Sequence, residues 1–124
     1  MAESDSRIDW VESIGRYLSY LVDDKIEEYA YDIVDSIAKA RNANELLEGI
    51  YRAERLKIKL KRKAETENMY FWEISDRDTR ELIRKLEEIG DDQKNVRKLA
   101  LTLGVWAFAW YGDRRETGGE ARCT

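Results

Sequence analysis

Cationic side chains crowd into one short stretch of the chain, residues 52–63. This stretch holds seven basic residues and one acidic residue, Glu54, in a chain whose formal net charge is −4. The seven are Arg52, Arg55, Lys57, Lys59, Lys61, Arg62 and Lys63. Clustered cations bind phosphate groups, so the chemistry that these residues suggest is nucleic-acid binding of a sequence-independent, salt-sensitive kind. The alternative is that the lysines bind no ligand. They would then lie on the edge of a β-strand and prevent it from pairing with the strand of another molecule.

The spacing within this stretch predicts a strand. Over residues 56–61, apolar residues alternate with lysines, and strict alternation is typical of a half-buried strand. Side chains two residues apart in a strand lie on one face, about 6.6 Å from each other, so the row from Lys57 to Lys63 could meet successive phosphates. Leu56, Leu60 and Ala64 are also four residues apart, so a helix that runs on through the lysines stays open.

An aromatic run, residues 69–74, follows the lysines after a polar turn at residues 65–68. Aromatic residues suit strands, and two such runs around a short polar loop predict a β-hairpin at about residues 55–75. Tyr70, Phe71 and Trp72 on the second strand would offer surfaces on which bases stack.

Helices are predicted on both sides of the hairpin, because apolar residues recur there at spacings of three and four. Asn42 or Asn44 can cap the third helix, and Ser75 or Asp76 can cap the fourth. The predicted fold class is therefore α+β, mainly α, with about five helices and one β-hairpin inserted between the third and fourth helices.

The length of 124 residues predicts one globular domain. We assign residues 1–112 to this domain, with the last helix ending at Gly112, and residues 113–124 to a disordered tail. A single cysteine, Cys123, cannot form an internal disulfide, and the acidic, polar N-terminus does not resemble a signal peptide. These features predict a cytoplasmic protein.

Catalysis and metal binding find little support in the composition. The chain contains no histidine, which removes the commonest general base and the commonest metal ligand. Neither the glycine-rich phosphate loop nor the dinucleotide fingerprint occurs. We therefore expect a protein that is not an enzyme, with no catalytic residues, no cofactor and no metal. The second helix has an acidic outer face, and clustered carboxylates can bind metal ions. We interpret this face as exposed to solvent and not as a metal site.

The last helix becomes apolar on nearly every side from residue 99 onward. Such a helix is either central in the core or docked against another molecule. We predict a partner interface at its aromatic end, with plain core packing as the alternative. The predicted interface residues are Trp106, Phe108, Trp110 and Tyr111.

Two segments on either side of the predicted second strand resemble a known family. Residues 27–63, EEYAYDIVDSIAKARNANELLEGIYRAERLKIKLKRK, and residues 96–112, VRKLALTLGVWAFAWYG, resemble the small subunit of archaeal type I-A CRISPR effector complexes. The resemblance covers roughly residues 8–112 and rests on length, helical pattern, hairpin position and the Trp-Ala-Phe-Ala run. Small subunits of type III complexes are a close competitor and tend to be purely helical, so a hairpin would favour type I-A.

The resemblance implies a non-catalytic subunit of an antiviral-defence ribonucleoprotein complex. Small subunits of this family pack along guide-bound subunits and help to hold target or displaced strands. Other effector subunits and guide or target nucleic acid would then be the partners. Residues 57–63 would face nucleic acid, and residues 106–111 would pack on a neighbouring subunit. The rival interpretation from the residues alone is a helical protein–protein interaction module or homo-oligomer that does not bind nucleic acid.

Overall fold

The computed structural model describes residues 9–23 and 30–116, which fold into six α-helices. The helices are α1 (Trp10–Val22), α2 (Tyr31–Ala38), α3 (Ala43–Arg55), α4 (Lys57–Thr66), α5 (Asp76–Ile89) and α6 (Gln93–Glu116). Two of the predicted caps are confirmed. The Asn42 side chain accepts from the Glu45 amide, and the Ser75 hydroxyl accepts from the Asp78 amide, as N-cap residues do.

Helix α1 forms the centre of the core. It packs along α6 and also contacts α2 and α5, while α2 contacts α3 and α6. Eight of its residues are buried, among them Tyr17, Leu18 and Tyr20. Gly15 lets α1 approach α6 closely, since a Cβ at this position would overlap the Cβ of Trp106.

The predicted α+β class and its β-hairpin are wrong, because among the described residues there is no strand. Residues 57–66 form α4 instead, with Leu60 and Ala64 buried at 0% and 2% exposure. The helical alternative, based on the four-residue spacing of Leu56, Leu60 and Ala64, is therefore the correct one. Ile58, which the alternation placed beside Leu56 and Leu60 on one strand face, is 66% exposed. Burial of one face at a spacing of four outweighs the alternation of apolar and basic residues.

The polar turn predicted at residues 65–68 is the end of α4. Asn68 has a φ of 58°, the left-handed conformation in which many helices terminate. The Met69 amide donates to the Ala64 carbonyl at 2.8 Å, and the Asn68 amide donates to the Glu65 carbonyl at 3.1 Å. These two hydrogen bonds form a Schellman motif, so the residues that suggested a hairpin loop instead stop a helix.

The aromatic run after α4 has no regular secondary structure and is held by side chains rather than by a neighbouring strand. The Tyr20 hydroxyl accepts from the Trp72 amide at 2.8 Å and donates to the Tyr70 carbonyl at 3.3 Å. Phe71 packs against the rings of Tyr17 and Tyr20, with centroids 6.2 and 5.0 Å away. Hydroxyl and ring contacts from α1 thus take the place of strand pairing.

Helix α6 is longer than predicted. It continues through Gly112 to Glu116, so Gly112 does not end the helix. Residues 113–116 of the predicted disordered tail belong to α6, and residues 117–124 lie outside the residues that the structure describes.

Candidate nucleic-acid interface

The seven predicted phosphate-binding residues lie on two consecutive helices. Arg52 and Arg55 occupy the last turn of α3, and the other five lie in α4. The two helices meet at Leu56, whose φ of −88° and ψ of −1° lie in the right-handed region. All seven cations are exposed except Lys57, which is half-buried.

Helical spacing divides these cations between two faces, whereas a strand would have placed alternate lysines in one row. Lys57 and Lys61, four residues apart, both approach the carboxylate of Glu73. Their Nζ atoms lie 3.6 and 3.7 Å from its oxygens. The protein's own carboxylate therefore partly neutralises this pair, which leaves it less charge to offer a phosphate.

The other five cations form a second face: four of them follow each other at spacings of three and four, and the fifth, Lys63, lies four residues after Lys59. We call this face the cationic stripe; it consists of Arg52, Arg55, Lys59, Arg62 and Lys63. Glu54 is the one acid between residues 52 and 64, and its carboxylate accepts from the Thr79 hydroxyl at 2.8 Å, which directs it toward α5. Arg52 borders a shallow cleft that is also lined by three acidic residues and by two basic residues, Lys39 and Arg41.

The three aromatic residues predicted to stack on bases have different environments. Phe71 packs on the core rings of α1. Trp72 is half-buried, and its indole N–H donates to the Ser13 hydroxyl at 3.1 Å. Tyr70 is 51% exposed. Of the three, only Tyr70 therefore presents a largely open ring.

Arg16 of α1 is a residue that the sequence reasoning missed. Its guanidinium carbon lies 4.3 Å from the ring centroid of Trp72 and 4.3 Å from that of Trp110. The Tyr70 ring is 5.8 Å away. No local pattern reveals this arrangement, because α1, the 67–75 segment and α6 meet only in the folded chain.

The predicted partner interface on α6 is mostly turned toward the protein itself. Trp106, Trp110 and Tyr111 are half-buried; Trp106 packs against Gly15, and Trp110 stacks on Arg16. Phe108 is 44% exposed. Contacts within the protein thus cover most of the Trp106 and Trp110 side chains. Phe108 is the predicted interface residue whose ring is the most exposed.

Exposed apolar residues that the sequence analysis did not select lie beside Phe108. Leu101 and Val105 are 53% and 65% exposed, and Tyr31 of α2 contacts the Phe108 ring with centroids 6.0 Å apart. The spacing of 101, 105 and 108 is that of one helix face. The sequence does contain a pattern that could have identified them. They form a second line of apolar residues on α6, separate from the core-facing line that includes Val96, Ala100 and Leu103.

Buried polar groups tie the helices to each other and find partners within the fold. The Ser13 hydroxyl donates to the Asp78 carboxylate at 2.6 Å while accepting from Trp72. The Tyr17 hydroxyl donates to the Ala53 carbonyl at 2.6 Å. Within residues 9–23 and 30–116, no group of three or more histidine, cysteine, aspartate or glutamate residues is placed to hold a metal ion.

Alkaline pH should destabilise the fold through Tyr17. Burial, together with the nearby charges of Glu54 and Glu73, raises the pKa of its phenol above the usual value. The folded protein thus holds this proton more tightly than the unfolded chain, whose tyrosines titrate near about 10. The resulting stability is complete below about pH 10 and is lost as pH rises through the higher folded-state pKa.

Urea unfolding of wild type and Tyr17→Phe between pH 7 and 11 measures this effect. The variant should be less stable by about 1 kcal/mol at pH 7, because the hydrogen bond to Ala53 is gone, but it should lose less stability above pH 10. Tyr51→Phe, at a 40% exposed tyrosine, is the control and should follow wild type. Equal pH dependence in all three proteins would contradict the role of Tyr17.

The described part of the chain thus defines an all-helical domain with an exposed cationic face. Its helices include none long and apolar enough to cross a membrane. No family model matches the sequence. The chain is 53% identical over 112 residues to the uncharacterized protein MJ0380 of Methanocaldococcus jannaschii, a match that covers 90% of this chain and 91% of that protein. It therefore belongs to the same family as this archaeal protein.

Proposed function

We propose that the chain is a non-enzymatic subunit of a nucleoprotein complex that contacts nucleic-acid phosphates through the cationic stripe. The supporting observation is the exposure of Arg55, Lys59, Arg62 and Lys63 on adjoining turns, with Glu54 turned toward Thr79. Contacts of this kind bind the backbone of a polynucleotide and do not read its sequence. The protein acts in the cytoplasm.

The complex that we propose is a CRISPR effector assembly, with this chain as its small subunit. The support is the resemblance of residues 27–63 and 96–112 to that family, together with an archaeal relative. The predicted hairpin was the feature that favoured type I-A, and it is absent from the described residues. An all-helical chain suits the small subunits of type III complexes, which are therefore the second candidate.

Partner subunits would dock on the exposed apolar face of α6. Leu101, Val105 and Phe108 give this face its open area, and exposed apolar patches mark protein interfaces. The same face supports the rival function, a protein–protein interaction module or homo-oligomer in which the cations serve only solubility.

Binding of the purified chain to labelled oligonucleotides of unrelated sequence, across a salt series, tests phosphate contact. We expect affinity that is independent of sequence and falls steeply with salt, with a slope of log K against log salt of about −3.5 if all five cations bind a single strand. No binding at low salt would contradict phosphate contact and favour the protein-only module.

The CRISPR assignment has its own test. The tagged chain should be purified from its native cells and the RNA that accompanies it sequenced. We expect guide RNAs that carry CRISPR repeat sequence, together with other effector subunits. Recovery of the chain with nucleic acid that lacks repeat sequence would contradict the assignment while leaving phosphate binding intact.

A further inference from the structure

Arg16 is held in an unusual way for a half-buried arginine. The indoles of Trp72 and Trp110 each lie 4.3 Å from its guanidinium carbon. Stacking of this kind covers the faces of the guanidinium plane and leaves its edge, where the N–H donors point, for hydrogen bonding. The side chain is thereby fixed before any ligand arrives, which lowers the entropy lost on binding.

Two kinds of donor in this cluster lack acceptors. Within the part of the chain that the structure describes, the contacts of the Arg16 guanidinium are with the rings of Tyr70, Trp72 and Trp110, and it makes no hydrogen bond or ion pair there. The indole N–H of Trp110 is buried and also has no acceptor. The Trp110 N–H is closed off from solvent, whereas the half-buried Arg16 guanidinium keeps N–H donors without acceptors, which suits a ligand that brings oxygen atoms.

The nature of that ligand follows from Tyr70. Its ring is 5.8 Å from the Arg16 guanidinium carbon and 51% exposed. An aromatic surface beside an arginine fork matches a nucleotide, whose base can stack while its phosphate meets the guanidinium. A carboxylate from a protein would satisfy Arg16 but would leave Tyr70 without a role.

The cluster also lies next to the cationic stripe along the chain. The Met69 amide, one residue before Tyr70, donates to the Ala64 carbonyl, which places Tyr70 just beyond the end of α4. Lys63 lies in the last turn of that helix. Lys63 and Tyr70 thus both lie near the C-terminal end of α4, and this is where we expect a strand on the stripe to turn toward Tyr70 and Arg16.

We propose that Arg16 and Tyr70 form a nucleotide-binding site that selects single-stranded over duplex nucleic acid. The proposal rests on the proposed phosphate-binding function and names its ligand. Arg16 binds a phosphate through the edge of its guanidinium, and an unpaired base stacks on Tyr70. In a duplex the faces of the bases are already stacked on one another, so Tyr70 has no base to receive.

Competition binding with a single strand and with the duplex of the same sequence tests the proposal. We expect wild type to prefer the single strand, and Tyr70→Ala to bind it about tenfold more weakly, since one stacked base is lost. Its affinity for the duplex should stay the same. Tyr70→Phe keeps the ring and should behave as wild type. Tyr70 is exposed, so these variants test the site without disturbing the core.

Arg16→Gln gives a second, independent measurement. We expect about tenfold weaker single-strand binding and loss of the change in tryptophan fluorescence that binding causes, because Trp72 and Trp110 flank Arg16. The thermal midpoint of each variant is measured alongside to confirm folding.

The results of these experiments distinguish failure of the Arg16–Tyr70 site from failure of phosphate binding by the cationic stripe. Salt-sensitive binding with equal affinity for both strand forms, unchanged by Tyr70→Ala, would overturn the Arg16–Tyr70 site and leave phosphate binding by the stripe intact. Failure of wild type to bind either form would overturn both proposals.

Discussion

Reversing three charges of the cationic stripe, Arg55→Glu, Lys59→Glu and Lys63→Glu, should weaken nucleic-acid binding roughly 100-fold or more at low salt. Three attractive contacts become repulsive, and the salt slope for a single strand should fall by about 2. All three residues are exposed, so the circular-dichroism spectrum and the thermal midpoint should remain close to those of wild type. Binding within about threefold of wild type would remove the stripe from the proposed function.

A matched pair of variants tests the helical arrangement itself. Lys57→Gln with Lys61→Gln removes two charges four residues apart in α4, and Lys59→Gln with Lys63→Gln removes two others at the same spacing. The second pair should lose more affinity, because it removes two charges of the cationic stripe, whereas Lys57 and Lys61 lie on the other face beside Glu73. A strand with its lysines in one row would give equal losses, and so equal losses would contradict the two-faced helix.

Gly15→Ala should destabilise the fold by roughly 2 kcal/mol, or about 6–10 °C in Tm. The added methyl would overlap the Cβ of Trp106 and would lie 3.3 Å from its backbone carbon and Cα atoms. Backbone atoms cannot rotate out of the way, so α1 and α6 must move apart. The better helix propensity of alanine, worth up to about 1 kcal/mol, offsets only part of this cost.

The control for Gly15 is Gly112→Ala. Gly112 also lies within a helix, α6, but a Cβ at this position would have nothing within 4 Å. This variant should be as stable as wild type or more stable by up to about 1 kcal/mol. Urea unfolding of both variants provides the comparison. If Gly15→Ala proved as stable as Gly112→Ala, the close approach of α1 and α6 would not be a constraint on the fold.

The sequence predicted the flanking helices of this fold better than its middle. Asn42 and Ser75 were each one of two candidate caps, because a side-chain oxygen three residues before a free amide is a local signal. Residues 56–64 carry two local signals at once, an alternation and a spacing of four. Packing of Leu60 and Ala64 decides between them, and packing is not visible in a short window of sequence.

The candidate site shows the same division between local and long-range information. The identities of the cations were read from the sequence, but their division into two faces depends on α4 being a helix and on Glu73 lying beside Lys57. Arg16 could not be selected, since its partners Trp72 and Trp110 come from distant parts of the chain. Leu101 and Val105 could have been found, because their spacing with Phe108 is local.

The hydrogen bonds of the Tyr20 hydroxyl have a consequence for aggregation. The run Met-Tyr-Phe-Trp-Glu-Ile at residues 69–74 combines aromatic, β-prone residues with a single charge, the composition of segments that assemble into cross-β fibrils. In the native fold the Tyr20 hydroxyl forms hydrogen bonds with the Trp72 amide and the Tyr70 carbonyl. A second copy of the chain would need these two backbone groups to form a β-sheet with this segment. Release of α1 from its neighbours would free these groups, so the docking of α1 also protects the chain from self-assembly.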